Sequence, residues 1–154
     1  MKSISQELIS RVIKKRKSAT HKGNYGRLLL IGGSKKYGGA LIMAAEGALN
    51  SGAGLVTVAT DQVNIAALHT RDPEIMALNW DESIELKNLI KSSDVVVCGM
   101  GLGLDDKAQQ ILRLVRDNIT LKQTLILDAS ALDLIGQQND LLPLNSKILI
   151  FTPH

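Results

Sequence analysis

Short apolar runs alternate with segments of helical pattern along most of the chain. Each run consists mainly of aliphatic side chains, which is typical of a strand buried within a sheet. The runs lie at residues Arg27–Ile31, 55–59, 94–98, 124–127 and 147–151. Strands separated by helices pair in parallel through right-handed crossovers, which place helices on both faces of the sheet. The sequence therefore predicts an α/β fold with three α/β/α layers and a mainly parallel sheet.

The spacing of apolar residues predicts the helices between these strands. An amphipathic helix is expected over residues 3–16, and a helix that is apolar on most of its circumference, and so well buried, over residues 40–51. Shorter helices are expected near residues 62–68, 83–90, 107–116 and 131–135. The last run, 147–151, is predicted to be a buried central strand of the complete fold and an open, self-associating edge in this sequence.

The composition is that of one globular domain spanning residues 1–154, with 45% hydrophobic and 21% charged residues. Only four residues are aromatic, which argues against a protein that stacks nucleic-acid bases. The net charge is +3, and many of the cations lie in the cluster at residues 14–17. We interpret this cluster as the C-terminal end of the first helix, the alternative being a patch that attracts phosphate or nucleic acid. No nucleic-acid partner is predicted.

The single cysteine, Cys98, excludes an internal disulfide and suits a reducing compartment. Because it ends the apolar run at 94–98, it is expected to be a small buried residue rather than a nucleophile. No apolar run approaches the ~18 residues of a membrane span, and the first residues lack the pattern of a signal peptide. The sequence therefore predicts a cytoplasmic protein without a membrane partner.

Glycine-rich turns follow two of the predicted strands. The first turn contains Gly32, Gly33 and Ser34, and is followed by Gly39 and Ala40 at the start of a helix. Backbone N–H groups of such a turn, next to a helix N-terminus, suit a phosphate or another anion. The alternative is that these glycines serve only tight turns and close packing. The small side chain at the helix start would let a ligand approach the backbone.

The second glycine-rich turn has Gly99, Gly101 and Gly103 at alternate positions directly after a strand. This spacing also leaves room for a ligand against the backbone. It departs from the Gly-x-Gly-x-x-Gly fingerprint, because Leu104 stands where a glycine or alanine is expected. A redox site of the usual nicotinamide-dinucleotide kind is therefore only weakly supported.

Polar residues follow the last two predicted strands. Asp128 could bind a ligand hydroxyl or, through water, a metal ion; alternatively, Asp128 or Ser130 caps the next helix. His154 could donate a hydrogen bond to a ligand. His21 lies in a glycine- and lysine-flanked loop where ligand contact is possible, whereas His69 is expected on the surface. No His or Cys spacing indicates a zinc site, so no metal ligands are predicted.

Taken together and in order, these segments resemble the dehydratase domain of the ADP- or ATP-dependent NAD(P)H-hydrate dehydratases, a carbohydrate-kinase-related family with a ribokinase-like fold. The matching stretches are residues 21–27, 28–34, 39–40, 51–59, 73–76, 99–103, 127–129 and 152–154. The first glycine-rich block, combined with the Ser-Gly-Ala-Gly-Leu-Val-Thr-Val segment at 51–58, is specific to this family. Any one of the matching stretches alone would be weak evidence for the resemblance.

The resemblance implies a repair enzyme whose substrate is the hydrated form of NADH or NADPH. ADP or ATP, with Mg²⁺, phosphorylates the added hydroxyl, and elimination of phosphate restores the dinucleotide. By position, the substrate contacts of the family fall on Ala40, Gly103 and His154. The family also implies a homotetramer.

The sequence departs from the family pattern in two places. Ser130 stands where the family usually has a second aspartate after Asp128. The family also continues beyond Thr-Pro-His into Pro-Gly-Glu and a later Gly-x-Gly-Asp segment, whose aspartate acts as the base. We therefore expect a C-terminally incomplete domain whose catalytic base lies beyond His154, with little activity of its own. The alternatives are a small-molecule kinase of the same fold and a non-catalytic nucleotide-binding module.

Overall fold

The computed structural model describes residues 4–12, 19 and 21–153. The helices are α1 (Gln6–Val12), α2 (Gly38–Asn50), α3 (Gln62–Arg71), α4 (Ser83–Ser92), α5 (Asp106–Asn118) and α6 (Ser130–Gln137). The strands are β1 (Arg27–Ile31), β2 (Leu55–Thr60), β3 (Met76–Asn79), β4 (Val95–Cys98), β5 (Thr124–Asp128) and β6 (Ile148–Thr152). Two 3-10 turns lie at Lys22–Tyr25 and Asn139–Leu141.

The six strands form one sheet in the order β3-β2-β1-β4-β5-β6, and every neighbouring pair is parallel. The order reverses between β1 and β4, so the loops that follow these two strands run in opposite directions. Such a reversal leaves a crevice at the carboxyl edge of the sheet, where α/β proteins bind ligands. The predicted three-layer fold with a mainly parallel sheet is confirmed.

Apolar side chains from both faces of the sheet form two cores. On one face, Leu29 and Ile31 of β1 pack with residues of α4, α5 and α6; on the other, Leu30 packs with Leu41 of α2 and Leu68 of α3. This alternation follows from the strand geometry, in which successive side chains point to opposite faces. Within the described ranges, no helix has the length and apolar character needed to cross a membrane.

One strand, β3, was not predicted from the sequence. It occupies the other edge of the sheet and pairs with β2 alone. Met76 is exposed and the rest of the strand is half-buried. An edge strand does not need a continuous apolar run, so the pattern that marks the central strands is absent here.

The helix α2 is less buried than predicted. Only Leu41 and Ala45 are buried, and Met43 is 65% exposed. Only one side of α2 contacts the sheet, and apolar residues on its other side border an open groove. The prediction that α2 is well buried, which was based on apolar residues around most of its circumference, is therefore wrong.

The predicted first helix is only partly described. Its described part is residues 4–12, with α1 at Gln6–Val12, and Ile4, Leu8 and Ile9 are exposed rather than packed on the core. The basic cluster Lys14, Lys15, Arg16 and Lys17 lies outside the described residues.

The final strand, β6, was predicted to be buried on both faces in the complete fold and to be an exposed edge in this sequence, and the structure shows all five residues exposed. It forms the edge of the described sheet and pairs only with β5, as the predicted open edge requires. Its four apolar side chains are 39–50% exposed. An apolar edge with unpaired backbone groups is a template for pairing with another chain.

We expect Ile150→Lys to reduce self-association of the chain, because a charge on an edge strand disfavours edge-to-edge pairing. Light scattering at increasing protein concentration would measure the change. Leu121→Lys is the matched control, since Leu121 is 73% exposed but lies in a turn. Equal association of both variants and the parent chain would contradict this expectation.

Cys98 is fully buried at the end of β4, as predicted. Burial raises the pKa of its thiol to about 12, so the folded chain holds the thiol protonated at neutral pH. Without burial, the pKa of the thiol is 9.0. Its contribution to stability is therefore complete below that pH and is lost as the pH rises toward 12.

We accordingly expect an aromatic disulfide reagent at pH 8 to leave the folded chain unmodified and to label the urea-unfolded chain at once. Labelling in water should occur only as fast as the chain opens. Absorbance of the released thiolate reports the reaction, and Cys98→Ala provides the blank. Immediate stoichiometric labelling without urea would show that the thiol is accessible in the folded state.

Candidate functional site

The two glycine-rich loops are joined by backbone hydrogen bonds at the carboxyl edge of the sheet. The Gly33 N–H donates to the Met100 carbonyl over 2.9 Å, and the Ser34 N–H donates to the Gly101 carbonyl over 2.6 Å. The loops follow β1 and β4, the strands between which the sheet order reverses. The structure therefore brings the two predicted loops together at the position where this sheet type binds ligands.

Close packing explains the glycine at position 101. Its φ of 60° is in the left-handed region, and a Cβ there would collide with the Tyr37 backbone. Only glycine combines that backbone conformation with such a close approach. This junction holds the loops against each other without side chains between them.

Three backbone N–H groups of the first loop, where an anion site was predicted, donate to carbonyl groups of the protein. The N–H of Gly32 donates to the Ala59 carbonyl over 3.1 Å, and those of Gly33 and Ser34 bond the second loop. All three donors are engaged within the protein. The alternative interpretation, in which these glycines serve tight turns and packing, fits this loop.

A buried polar network formed by Thr60 and Asn64 hydrogen-bonds the first loop at the Gly33 carbonyl. The Thr60 hydroxyl donates to the Gly33 carbonyl over 2.8 Å, and the Asn64 side-chain amide donates to the same carbonyl over 2.6 Å. The same amide also lies 3.0 Å from the Thr60 hydroxyl oxygen. The sequence analysis missed both residues. The available signal was a threonine at the end of β2 followed four positions later by an asparagine in the first turn of α3.

A charged cavity of about 480 Å³ lies beside the junction. Its lining comes from the loops after β1, β2, β3 and β4: Ser34, Lys35, Lys36, Tyr37, Asp61, Trp80, Asp81, Leu102, Gly103, Leu104, Asp105 and Lys107. Trp80 is 5% exposed. The volume lies within the ~300–1,000 Å³ range of small-molecule sites.

Asp128 lies at the carboxyl end of β5, beside the second loop. The Thr152 hydroxyl donates to its Oδ1 over 2.7 Å and lies 3.2 Å from the Leu127 carbonyl oxygen. Neither Asp128 nor Ser130 caps α6, because the cap position is Ala129 and no side chain bonds the first turn. The predicted capping role is therefore wrong, and Asp128 presents a carboxylate at the same edge as the glycine loops.

The predicted substrate contacts do not all share one cavity. Gly103 lines the charged cavity, whereas Ala40 is exposed on α2 and lines a separate groove of about 810 Å³ between α2 and α3, together with Gly39. His154 lies outside the described residues. The ligand roles of all three remain predictions.

The other histidines lie away from this edge. His21 precedes the 3-10 turn before β1, at the amino end of the strands, so contact with a ligand at the carboxyl edge is not supported. His69 is exposed, as predicted. Among the described residues, no group of three His, Cys, Asp or Glu side chains is arranged to hold a metal ion.

Comparison with known proteins finds relatives along the whole chain. An ADP-dependent (S)-NAD(P)H-hydrate dehydratase of Lactiplantibacillus plantarum is 48% identical over all 154 residues, which cover 55% of that relative. An enzyme of the same name from Enterococcus faecalis is 46% identical, with 100% of this chain and 53% of the relative covered. The chain therefore spans about half the length of the curated relatives it matches.

Solved structures show the same fold. A ribokinase-like superfamily protein of Enterococcus faecalis matches with a TM-score of 0.93 and 45% identity, over 98% of this chain and 53% of that one. An ADP/ATP-dependent NAD(P)H-hydrate dehydratase of Bacillus subtilis, co-crystallised with ATP and Mg²⁺, matches with a TM-score of 0.70 and 28% identity, over 83% and 46%.

A family model also matches most of the chain. It is the carbohydrate-kinase-type model described as NAD(P)H-hydrate dehydratase, and it covers residues 28–154. That range includes both glycine loops, the charged cavity and Asp128. On this match and the identity to its relatives, the chain belongs to the NAD(P)H-hydrate dehydratase family.

Proposed function

We propose that this chain provides the substrate-binding part of an ADP-dependent NAD(P)H-hydrate dehydratase, which converts hydrated NADH or NADPH back to the intact dinucleotide. The observation that carries the proposal is the hydrogen-bonded junction of the glycine loops beside a cavity at the reversal of the sheet order. The names of the relatives that are 40–48% identical supply the reaction.

The residues of this edge would bind and orient the substrate. Gly103, without a side chain, would let the dinucleotide approach the backbone of the second loop. Asp128, held by the Thr152 hydroxyl, offers an acceptor for a substrate hydroxyl. Ala40 would contact the substrate from the start of α2, by the resemblance to the family.

The nucleotide would supply a phosphoryl group that activates the added hydroxyl for elimination. The described residues provide no cluster for Mg²⁺, which in proteins is commonly bound by one or two carboxylates and by substrate phosphates. We therefore assign no Mg²⁺ ligand and derive no step through the ion. ATP as an alternative donor and assembly as a tetramer are further parts of the proposal.

The test is to join residues 1–154 to the part of the Lactiplantibacillus plantarum relative that follows its matched segment. The joined chain is incubated with hydrated NADH, ADP and Mg²⁺, and recovery of the absorbance of reduced nicotinamide is followed. We expect turnover that depends on ADP. The chain alone is assayed in parallel, with the intact relative as the positive control.

Two results would contradict the proposal. One is a folded joined chain that leaves the hydrate unchanged while the intact relative converts it. The other is ATP-dependent phosphorylation of a carbohydrate without any recovery of absorbance, which would favour a small-molecule kinase. Asp128→Ala in the joined chain should lower turnover.

A further inference from the structure

Two lysines of the charged cavity have no partner for their charge. Lys35 and Lys36 line the same cavity as Gly103. Across residues 4–12, 19 and 21–153, neither lysine side chain forms an ion pair or a hydrogen bond. An ammonium group at a cavity wall that no carboxylate neutralises favours an anionic ligand.

The other charged residues of the lining are all engaged. Asp61 accepts a hydrogen bond from the Val63 N–H at the start of α3, and Asp105 accepts one from the Ala108 N–H at the start of α5. Asp81 forms an ion pair with Lys107. The three carboxylates therefore have partners, which leaves Lys35 and Lys36 as the charged side chains of the lining that have none among the described residues.

The backbone that carries the two lysines is fixed. Lys35 and Lys36 are the central residues of a β-turn closed by the Tyr37 N–H, which donates to the Ser34 carbonyl over 2.9 Å. Ser34 is itself bonded to Gly101 of the second loop. The turn therefore holds the backbone of both lysines at the rim of the cavity, and each ammonium group can reach a ligand there on a flexible four-carbon stem.

We infer that Lys35 and Lys36 form a phosphate subsite of the cavity, which binds a phosphate group of the nicotinamide dinucleotide. The inference rests on the proposed function and adds to it the residues that recognise the charge of the substrate. A dinucleotide offers this chemistry in two places. The pyrophosphate is common to NADH and NADPH, whereas the 2′-phosphate belongs to NADPH alone.

The experiment is a ³¹P NMR titration of the 154-residue chain with NADH, NADPH and ADP. Weak binding remains measurable by this method, and the pyrophosphate and 2′-phosphate give separate signals. The variant K35Q/K36Q removes both charges. The matched control K87Q/K91Q removes two exposed lysine charges on α4, outside the cavity lining.

We expect K35Q/K36Q to bind dinucleotide about tenfold more weakly than the parent chain, and K87Q/K91Q to bind as the parent does. A loss for both dinucleotides assigns the subsite to the pyrophosphate. A loss for NADPH alone assigns it to the 2′-phosphate. The variant K35R/K36R, which keeps the charge, should retain most of the affinity.

Three results would overturn the subsite. They are unchanged dinucleotide binding by K35Q/K36Q, an equal loss in K87Q/K91Q, and a loss confined to ADP. Each can occur while the joined chain still converts hydrated NADH, so failure of the subsite is distinguishable from failure of the proposed function. A far-UV spectrum and a melting curve of each variant confirm that it is folded.

Discussion

Replacing Gly99 with valine is expected to destabilise the chain by about 4 kcal/mol, a large fraction of the stability of a domain. Gly99 has a φ of 129°, a conformation that a β-branched residue rarely adopts. A Cβ there would also collide with the Asp128 carbonyl and approach the Ala131 Cβ to 2.9 Å. Relief of this clash would have to move β4 away from the end of β5, at the edge that carries the site.

Urea unfolding followed by the fluorescence of the single tryptophan, Trp80, would measure the loss. Gly47→Ala is the matched control, because a Cβ on Gly47 meets no atom within 4 Å and the position lies within α2. Alanine there should stabilise the chain by up to about 1 kcal/mol. An unfolding midpoint of Gly99→Val equal to that of the parent would show that the loop can move at little cost.

The central part of the fold was predictable because strands buried on both faces have continuous apolar runs in the sequence. β1 and β4 lie inside the sheet with helices on both faces, and their apolar runs identify them. β3 was not predicted because an edge strand can contain exposed residues such as Met76 and so need not have a continuous apolar run. The apolar run of β6 led us to predict burial in the complete fold, and in this chain the strand is the exposed edge that was expected.

The meeting of the glycine loops was also predictable, because the carboxyl ends of parallel strands share one edge. The cavity and the network beneath the loops were not. The cavity lining comes from four separate loops. The bonds to Gly33 join residues 27 and 31 positions apart in the chain. Such contacts depend on the register of the sheet and the placement of helices, which local patterns do not specify.

The second substitution with a large expected effect removes Asn64, which hydrogen-bonds the Gly33 carbonyl together with Thr60. Replacing Asn64 with alanine is expected to destabilise the chain by about 2–3 kcal/mol and to loosen the first glycine loop. The buried amide donates to the Gly33 carbonyl and contacts the Thr60 hydroxyl. Gly38 packs directly against it, so the substitution also leaves a cavity under the start of α2.

Amide hydrogen exchange in the first glycine loop distinguishes local support by Asn64 from a general loss of stability. The Ser34 N–H, which bonds the Gly101 carbonyl, should exchange with solvent faster in Asn64→Ala than global unfolding allows. Dinucleotide binding should weaken in parallel, because Lys35 and Lys36 stand on the turn that Ser34 begins. Asn50→Ala, at the exposed end of α2, is the control and should change neither quantity. Parent-like protection of the Ser34 amide in Asn64→Ala would show that the junction between the loops holds its position without support from α3.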